Sequence, residues 1–141
     1  MSTQVPLHIT PLHNRFLTRM GEELNSPQPL PWDNNDQPFF SLPTNKEISL
    51  SDMCDLAARY FVKISQRKPF GKMNPRAALA CCLTFLRINQ IYLKVPEMEL
   101  FQMALDTYYG EASEEEWSSF LQENVICHLP ALIWTTAPKR V

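Results

Sequence analysis

Residues 77–86 read AALACCLTFL, an unbroken run in which every residue except one threonine is small or apolar. A helix that is apolar on every side is stable only when other elements surround it. Asn74 and Pro75 precede the run; Asn is a preferred N-cap, and Pro suits the first helical position because an amide donor there would be unpaired. Asn89 follows it. The stretch predicts a buried central helix over about residues 75–89, and with it an all-α fold.

The segment before this helix predicts a second one. Ser49 or Ser51 can serve as its N-cap, and the helical pattern runs to about Gln66. Its apolar residues recur at intervals of three and four: Leu50, Cys54, Ala57, Phe61 and Ile64. A shorter amphipathic pattern over residues 10–24 predicts a helix whose inward side carries Leu12, Phe16, Leu17 and Met20.

Two further helices are expected after the central one. IYLKV at 91–95 is an extended crossing, and Pro96 and Gly110 bracket a helix whose inward residues are Leu100, Phe101, Ala104, Leu105 and Tyr108. Ser113 and Glu116 form a capping box, which predicts a last helix that contains Trp117, Phe120 and Leu121.

Proline divides the chain near residue 47. Seven of the twelve prolines lie in residues 1–43, and because proline lacks an amide hydrogen, this segment is expected to contain an irregular arm. Trp32, Phe39 and Phe40 make the arm unlike a solvated linker, so it either packs over the core or binds a partner. We expect three regions, namely the N-terminal helix and arm at 1–47, the helical core at 48–126 and an apolar tail at 127–141.

Length and composition indicate one domain with a substantial core, since the chain has 141 residues of which 45% are hydrophobic. No apolar run approaches the length of a membrane span, and the N-terminus lacks a basic segment followed by a hydrophobic one, so a cytoplasmic protein without membrane contact is expected. The four cysteines have no C-x-x-C spacing, which predicts buried reduced thiols and no zinc site: Cys54, Cys81, Cys82 and Cys127.

Charge is more segregated than the net value of −2 suggests. Residues 56–96 contain eight Lys or Arg and no acid, whereas residues 97–123 contain eight acids and no base. The two groups can be solvated faces that attract each other weakly. Alternatively, the basic group receives an anionic ligand or an acidic partner surface.

The loop before the central helix favours the second interpretation. PFGKMN at 69–74 leads to a helix N-terminus, where free amide donors and the helix dipole favour an anion, and Gly71 lets the backbone approach it. The predicted anion- or partner-binding residues lie in this loop and on the preceding helix: Lys68, Phe70, Gly71, Lys72, Asn74, Arg76, Arg59, Lys63 and Arg67.

Residues 57–121 resemble the Doc branch of the Fic family, whose active loop has the form H-x-F-x-D-x-N-K-R-T-A. Here residues 68–78 read KPFGKMNPRAA and keep Phe70, Asn74, Arg76 and Ala78 of that pattern. The following LTFLRINQ is similar to the family's L-F-L-x-x-N-G, and ALDTYYGEASEEEWSSFL resembles the stretch before its last helix. The resemblance implies a Fic/Doc-like helical bundle around the central helix.

The sequence departs from the family pattern at the residues that carry out the family's chemistry. The family's histidine, a general base, is matched by Lys68, which carries a charge and accepts no proton unless it is strongly desolvated. The acidic residue associated with the metal-bound phosphates is matched by Lys72, whose ammonium has no lone pair for Mg²⁺. The family's lysine is matched by Pro75, which lacks a backbone donor. These exchanges predict that the metal is lost, although a nucleotide can still bind at Arg76.

Two functional hypotheses follow. In the first, the chain is a Doc-like pseudoenzyme that binds an acidic or antitoxin-like protein, as a phage- or plasmid-encoded inhibitor or a toxin–antitoxin component. In the second, Lys68 is desolvated and works as a base, Lys72 replaces the charge of the metal, and phosphoryl or nucleotidyl transfer to a host protein survives. Nucleic acid fits less well as a partner, because the pI is about 5.9 and aromatic residues are not interleaved with the basic ones.

Overall fold

The computed structural model describes residues 5–23, 42, 47–126 and 132–135 of the chain. In these residues the fold is mostly helical, as the sequence predicts, with five α-helices and two small sheets. The helices are α1 (Asn14–Glu23), α2 (Leu50–Arg67), α3 (Asn74–Ile88), α4 (Glu97–Tyr108) and α5 (Glu114–Glu123). The strands are β1 (Val5–His8), β2 (Glu47–Ile48), β3 (Tyr92–Leu93), β4 (Val125–Ile126) and β5 (Leu132–Thr135).

The apolar run of residues 77–86 lies in α3, and α3 is buried along most of its length, as predicted. It packs closely on α2, where the rings of Tyr60 and Phe85 have centroids 4.8 Å apart. The other side of α2 packs on α5, so α2 is the middle of these three helices. The core therefore forms where α2 meets α3 and α5, and most of its largest side chains come from these three helices.

Local capping signals locate most of the helix ends correctly. Ser49, one of the two predicted caps, accepts a hydrogen bond from the backbone of Asp52, whose carboxylate accepts one in return. Ser113 and Glu116 form the same reciprocal pair at the start of α5. Gly110 follows α4 with φ +84°, the left-handed conformation that favours glycine after a helix.

The start of α3 differs from the prediction. Asn74 is the first helical residue and not the N-cap, because a short 3₁₀ helix over Gly71–Met73 runs directly into α3. The backbone N–H of Asn74 donates to the carbonyl of Gly71, so this amide is already used. The 3₁₀ turn thus reduces the set of free amide donors expected at this helix start.

The inward face of α4 is narrower than its sequence suggests. Ala104 and Thr107 are buried, and Leu100 packs against the core, but Phe101 and Leu105 are 44% and 43% exposed. The prediction that these two residues face inward is therefore wrong. Each of them follows a residue that packs inward, Leu100 or Ala104, and so lies about 100° further around the helix, at the edge of the buried face.

Two small sheets join segments that are distant in sequence. In the first, β5 pairs in parallel with β1 and antiparallel with β2, so a part of the apolar tail is a strand. In the second, β3 pairs antiparallel with β4, which confirms an extended segment after α3. The predicted arm, with Trp32, Phe39 and Phe40, lies outside the described residues.

Cys54, Cys81 and Cys82 are buried free thiols, as predicted, whereas Cys127 lies outside the described residues. Burial, and then the nearby charge of Asp55, raises the pKa of the Cys54 thiol from 9.0 to about 12. Burial also raises the pKa of Cys81 and of Cys82. Each thiol is therefore held in its neutral form, as a small apolar side chain.

These raised pKa values predict that the protein loses stability in alkali. A group whose pKa is higher in the folded state contributes stability below its unfolded pKa, near 9, and loses that contribution as the pH rises further. We expect the free energy of unfolding to fall by about 1 kcal/mol per thiol between pH 9 and pH 10. Urea titrations across this range test it, with Cys54→Ala as the control. If the free energy of unfolding of the wild type falls no more steeply with pH than that of Cys54→Ala, the prediction is contradicted.

Candidate anion- and partner-binding site

The loop that joins α2 to α3 begins at a left-handed residue. Lys68 has φ 49° and ψ 49°, and its backbone N–H donates to the carbonyl of Ile64 at 2.9 Å, which closes the last turn of α2. Pro69 and Phe70 then turn into the core, and the 3₁₀ helix over Gly71–Met73 returns the chain to α3. The Lys68 side chain is exposed at this corner.

Gly71 also has a positive φ, of +57°. A β-carbon added there would meet no atom within 4 Å, so glycine is favoured by the backbone conformation and not by a lack of space. The open space leaves the backbone accessible from outside, which is compatible with the predicted approach of an anion.

Asn74 joins three parts of the fold from inside the loop. Its Oδ1 accepts from the backbone N–H of Phe70 at 3.3 Å. Its Nδ2 donates to the carbonyl of Ile64 at 2.9 Å and to the hydroxyl of Tyr108 at 3.0 Å. One side chain thus connects the end of α2, the loop and the end of α4. The conformation of the loop is consequently fixed by a buried polar network.

The structure divides the predicted loop residues into two groups. Phe70 and Asn74 are 1% and 0% exposed, so in this conformation they support the loop from behind. The side chains of Lys68, Lys72 and Arg76 are exposed. The surface of the loop is therefore cationic, and its apolar and amide side chains belong to the core.

Three further predicted residues lie along α2. Arg59 and Arg67 are exposed and Lys63 is half-buried. Their spacing of four residues places them on one side of the helix over about two turns, leading to the loop at Lys68. The helix thus extends the positive charge of the loop along the surface.

Arg76 also borders a groove between α3 and α4, with a volume of about 260 Å³. Its other walls are apolar: Pro75, Leu79, Phe101, Ala104 and Leu105. In the sequence, Pro75 and Leu79 are four residues apart, and so are Phe101 and Leu105. Nothing in the sequence indicates that these two pairs lie side by side. The groove was therefore not predictable from the sequence.

Asn89 is another buried polar residue whose role the sequence does not reveal. Its Oδ1 accepts from the backbone N–H of Thr10 at 2.7 Å, and its Nδ2 donates to the carbonyls of Thr10 at 2.9 Å and Phe85 at 2.7 Å. Nearby, the N–H of Leu12 donates to the hydroxyl of buried Tyr60 at 2.9 Å. The segment before α1 is thus fixed to the helical core by side chains of α2 and α3.

The left-handed conformation of Lys68 gives a stability prediction. A non-glycine residue costs about 1–2 kcal/mol in this region, so Lys68→Gly is expected to raise the free energy of unfolding by about 1 kcal/mol. Gln90, with φ 69°, provides the matched control outside the loop, and Gln90→Gly is expected to give a similar gain.

Chemical denaturation measures the free energy of unfolding of both variants. Capture of a partner by each variant then shows whether a change in binding follows from the change in stability. Only Lys68→Gly removes a charge from the loop, so it alone is expected to weaken binding. Equal binding by the two variants would contradict a role for Lys68 in partner recognition.

Other features of the described residues bear on the kind of site. In the described ranges, no group of three or more His, Cys, Asp or Glu side chains is placed to hold a metal ion. Within those same ranges, no helix is both long and apolar enough to cross a bilayer. The candidate site consists of the exposed cations of the loop and of the groove beside Arg76.

Comparison with models of known protein families and with curated protein sequences finds no match. The resemblance to the Fic/Doc family therefore rests only on the residues of the loop and on the two stretches that follow it.

Proposed function

We propose that the protein is a catalytically inactive, Doc-like pseudoenzyme that binds another protein through its basic loop. The observation that carries the proposal is the division within the loop. Phe70 and Asn74, which match the family pattern, are buried and fix the loop on the core. Lys68 and Lys72, which stand where the family has its base and its acidic residue, are exposed cations.

The position of Lys68 supports the loss of general-base catalysis. A lysine becomes neutral at working pH only when burial or a nearby cation strongly disfavours its charged form. The Lys68 side chain stands in solvent at the corner after α2 and is not desolvated. Lys72 is exposed as well, and its ammonium attracts anions and repels Mg²⁺.

The proposed partner is a protein with an acidic surface, such as an antitoxin-like chain. The loop presents Lys68, Lys72 and Arg76, and the nearby side of α2 adds Arg59 and Lys63. A surface of one charge sign accelerates encounter with a surface of the opposite sign and selects against like-charged proteins. This binding is compatible with an inhibitor or a toxin–antitoxin component carried by a phage or plasmid.

Capture from a host lysate tests the proposal when it is compared across variants. The wild-type chain is expected to retain a specific acidic protein, and Lys68→Glu with Lys72→Glu to lose it. Lys94→Glu is the matched control, because Lys94 is an exposed base outside the loop and α2. Retention by the loop variant, or equal loss with the control, would contradict binding through the loop.

A transfer assay tests the alternative function, a divergent phosphotransferase or nucleotidyltransferase. The protein is incubated with ATP, labelled on the γ-phosphate or on the adenine, together with the lysate. We expect no transfer of either label to protein. Transfer that disappears in Lys68→Ala or Arg76→Ala would overturn the pseudoenzyme proposal and establish the enzyme.

A further inference from the structure

A second groove lies between α1 and α3, at the far end of α3 from the loop. Its volume is about 560 Å³. Sites for small molecules typically measure about 300–1,000 Å³ and are mostly apolar, with a few polar groups. The apolar walls here include Leu12, Phe16 and Ile88. Leu12 is 3% exposed and Ile88 is 39% exposed, so the groove leads from solvent to the edge of the core.

The walls of this groove are fixed by the fold. Hydrogen bonds join Asn89 to the backbone of Thr10 and the N–H of Leu12 to the hydroxyl of Tyr60, and they hold the segment that leads into α1. The helix itself is anchored by Leu17, which is fully buried. A groove that is already formed needs little reorganisation to receive a ligand, so more of the contact energy appears as affinity.

The ionisable residues of the groove are all basic. Arg15 and Arg19 line it from α1, and His13 lines it just before the helix. The two arginines are one helical turn apart, so their long side chains can reach a common anion. Among the described residues, no acidic side chain lines the groove. The groove is therefore complementary to a ligand that is both apolar and negatively charged.

The charges along α1 run opposite to the order that stabilises a helix. Arg15 lies in its first turn, whereas Glu22 and Glu23 lie in its last. The start of a helix carries partial positive charge, so a cation there is unfavourable unless an anion lies nearby. Glu23 lies one turn beyond Arg19, outside the lining of the groove. This order is consistent with an anion held beside the first two turns of α1.

We propose that this groove binds a small organic phosphate, in which a phosphate group is attached to an apolar or aromatic body. The body lies between Phe16 and Ile88, and the phosphate pairs with Arg15 and Arg19. Guanidinium groups bind phosphate through paired, charge-assisted hydrogen bonds. Two guanidinium groups beside an imidazole match the charge of a phosphate monoester, about −1.5 to −2 at neutral pH, better than the single charge of a carboxylate.

The inference does not depend on the proposed function. Ile88 lies about 18 Å along α3 from Arg76. The groove is formed by α1 and the second half of α3, whereas the proposed function rests on Lys68 and Lys72 of the loop. Variants of the groove leave the loop unchanged, so failure of one proposal leaves the other intact.

Titration of the full chain with naphthyl phosphate, followed by nuclear magnetic resonance of the backbone amides, tests the site. We expect saturable binding with a Kd of about 1 mM, as is usual for a ligand of this size, and the largest shifts on α1 and the second half of α3. Naphthol lacks the phosphate and inorganic phosphate lacks the rings, so each is expected to bind about tenfold more weakly. Absence of saturation, largest shifts in the loop between α2 and α3, or equal binding of naphthol would overturn the proposal.

Naphthoate separates phosphate from carboxylate as the anionic group. It has the same rings as naphthyl phosphate and a smaller charge, so it is expected to bind about fivefold more weakly. Naphthoate that binds as tightly as naphthyl phosphate would contradict the assignment of a phosphate.

Variants of exposed charges test the role of Arg19. Arg19→Gln removes charge-assisted hydrogen bonds and is expected to weaken the binding of naphthyl phosphate about tenfold. Arg87→Gln is the matched control, because Arg87 is an exposed base on α3 outside the lining of this groove, and it is expected to keep the wild-type affinity. Glu23→Gln removes a nearby negative charge and is expected not to weaken binding. Equal losses in Arg19→Gln and Arg87→Gln would overturn the site.

Filling the groove tests its location. Thr84 is half-buried and lines the groove from α3. Thr84→Phe adds a ring to this space and is expected to abolish the binding of naphthyl phosphate while circular dichroism stays unchanged. Undiminished binding by this variant would overturn the proposal. If the probes do not bind and Arg19→Gln instead loses a protein that the wild type captures, the groove belongs to a protein partner and the proposal is likewise overturned.

Discussion

Replacement of Asn74 by alanine is expected to lower the free energy of unfolding by about 3 kcal/mol. The substitution leaves the buried backbone N–H of Phe70 without its acceptor and removes one of the two donors to the carbonyl of Ile64, which keeps the N–H of Lys68. A buried polar group that loses its partner costs about 1–3 kcal/mol, more than the net contribution of the hydrogen bond itself. Urea unfolding followed by circular dichroism measures the change.

Tyr108→Phe is the matched control for Asn74→Ala. It removes only the hydroxyl that accepts from Asn74 Nδ2, at a site that is partly buried, and it keeps the ring. Its expected cost is about 1 kcal/mol. If both variants cost the same, the hydrogen bonds to the loop and to α2 would be unimportant and Asn74 would not fix the loop.

The loop variant also bears on the proposed function. Asn74 is buried, so a partner cannot touch it in this conformation. Any loss of partner binding by Asn74→Ala would act through the conformation of the loop. Two causes of such a loss can be separated by adding a stabilising substitution such as Gln90→Gly. If the loss of binding arises from global unfolding, the added substitution should restore binding. If it arises from a changed loop conformation, binding should stay weak.

The second large effect is expected at Trp117. Its side chain is fully buried between α2 and α5, with its ring centroid 5.1 Å from that of Phe61 and 5.8 Å from that of Phe120. Trp117→Ala removes these contacts and leaves a cavity, with an expected cost of about 3–5 kcal/mol. Thermal and urea unfolding measure it.

Two variants show whether this cost comes from the cavity. Trp117→Phe keeps an aromatic ring and is expected to cost less than the alanine variant. Phe120→Ala removes the stacked partner, which is only half-buried, and is also expected to cost less. A cost of Phe120→Ala as large as that of Trp117→Ala would place the centre of this cluster at Phe120.

Much of the helical framework was predictable because it depends on neighbouring residues. Ser49 with Asp52 and Ser113 with Glu116 are capping pairs three residues apart, so the sequence reveals them directly. The apolar run of residues 77–86 and the glycine at 110 likewise determine a helix and a helix end. The cationic character of the loop is also evident from the sequence alone.

The errors occur where a distant element decides the outcome. Asn74 reads as a helix cap, but its side chain has better partners in Ile64 and Tyr108, which lie 10 and 34 residues away. Phe101 and Leu105 read as core residues, but α3 lies across an open groove from their side of α4, so both remain almost half exposed. The strand β5 has no clear pattern of its own and is defined by pairing with β1 and β2.

By itself, the sequence determined the helices, the caps of α2 and α5 and the separation of basic from acidic segments, because propensity, capping and charge act over a few residues. Only the tertiary structure decided which polar residues became buried supports of the loop, that Arg76 borders an apolar groove, and that the outer side of α4 remains exposed. These features depend on which surfaces meet, and packing between elements distant in the chain decides that.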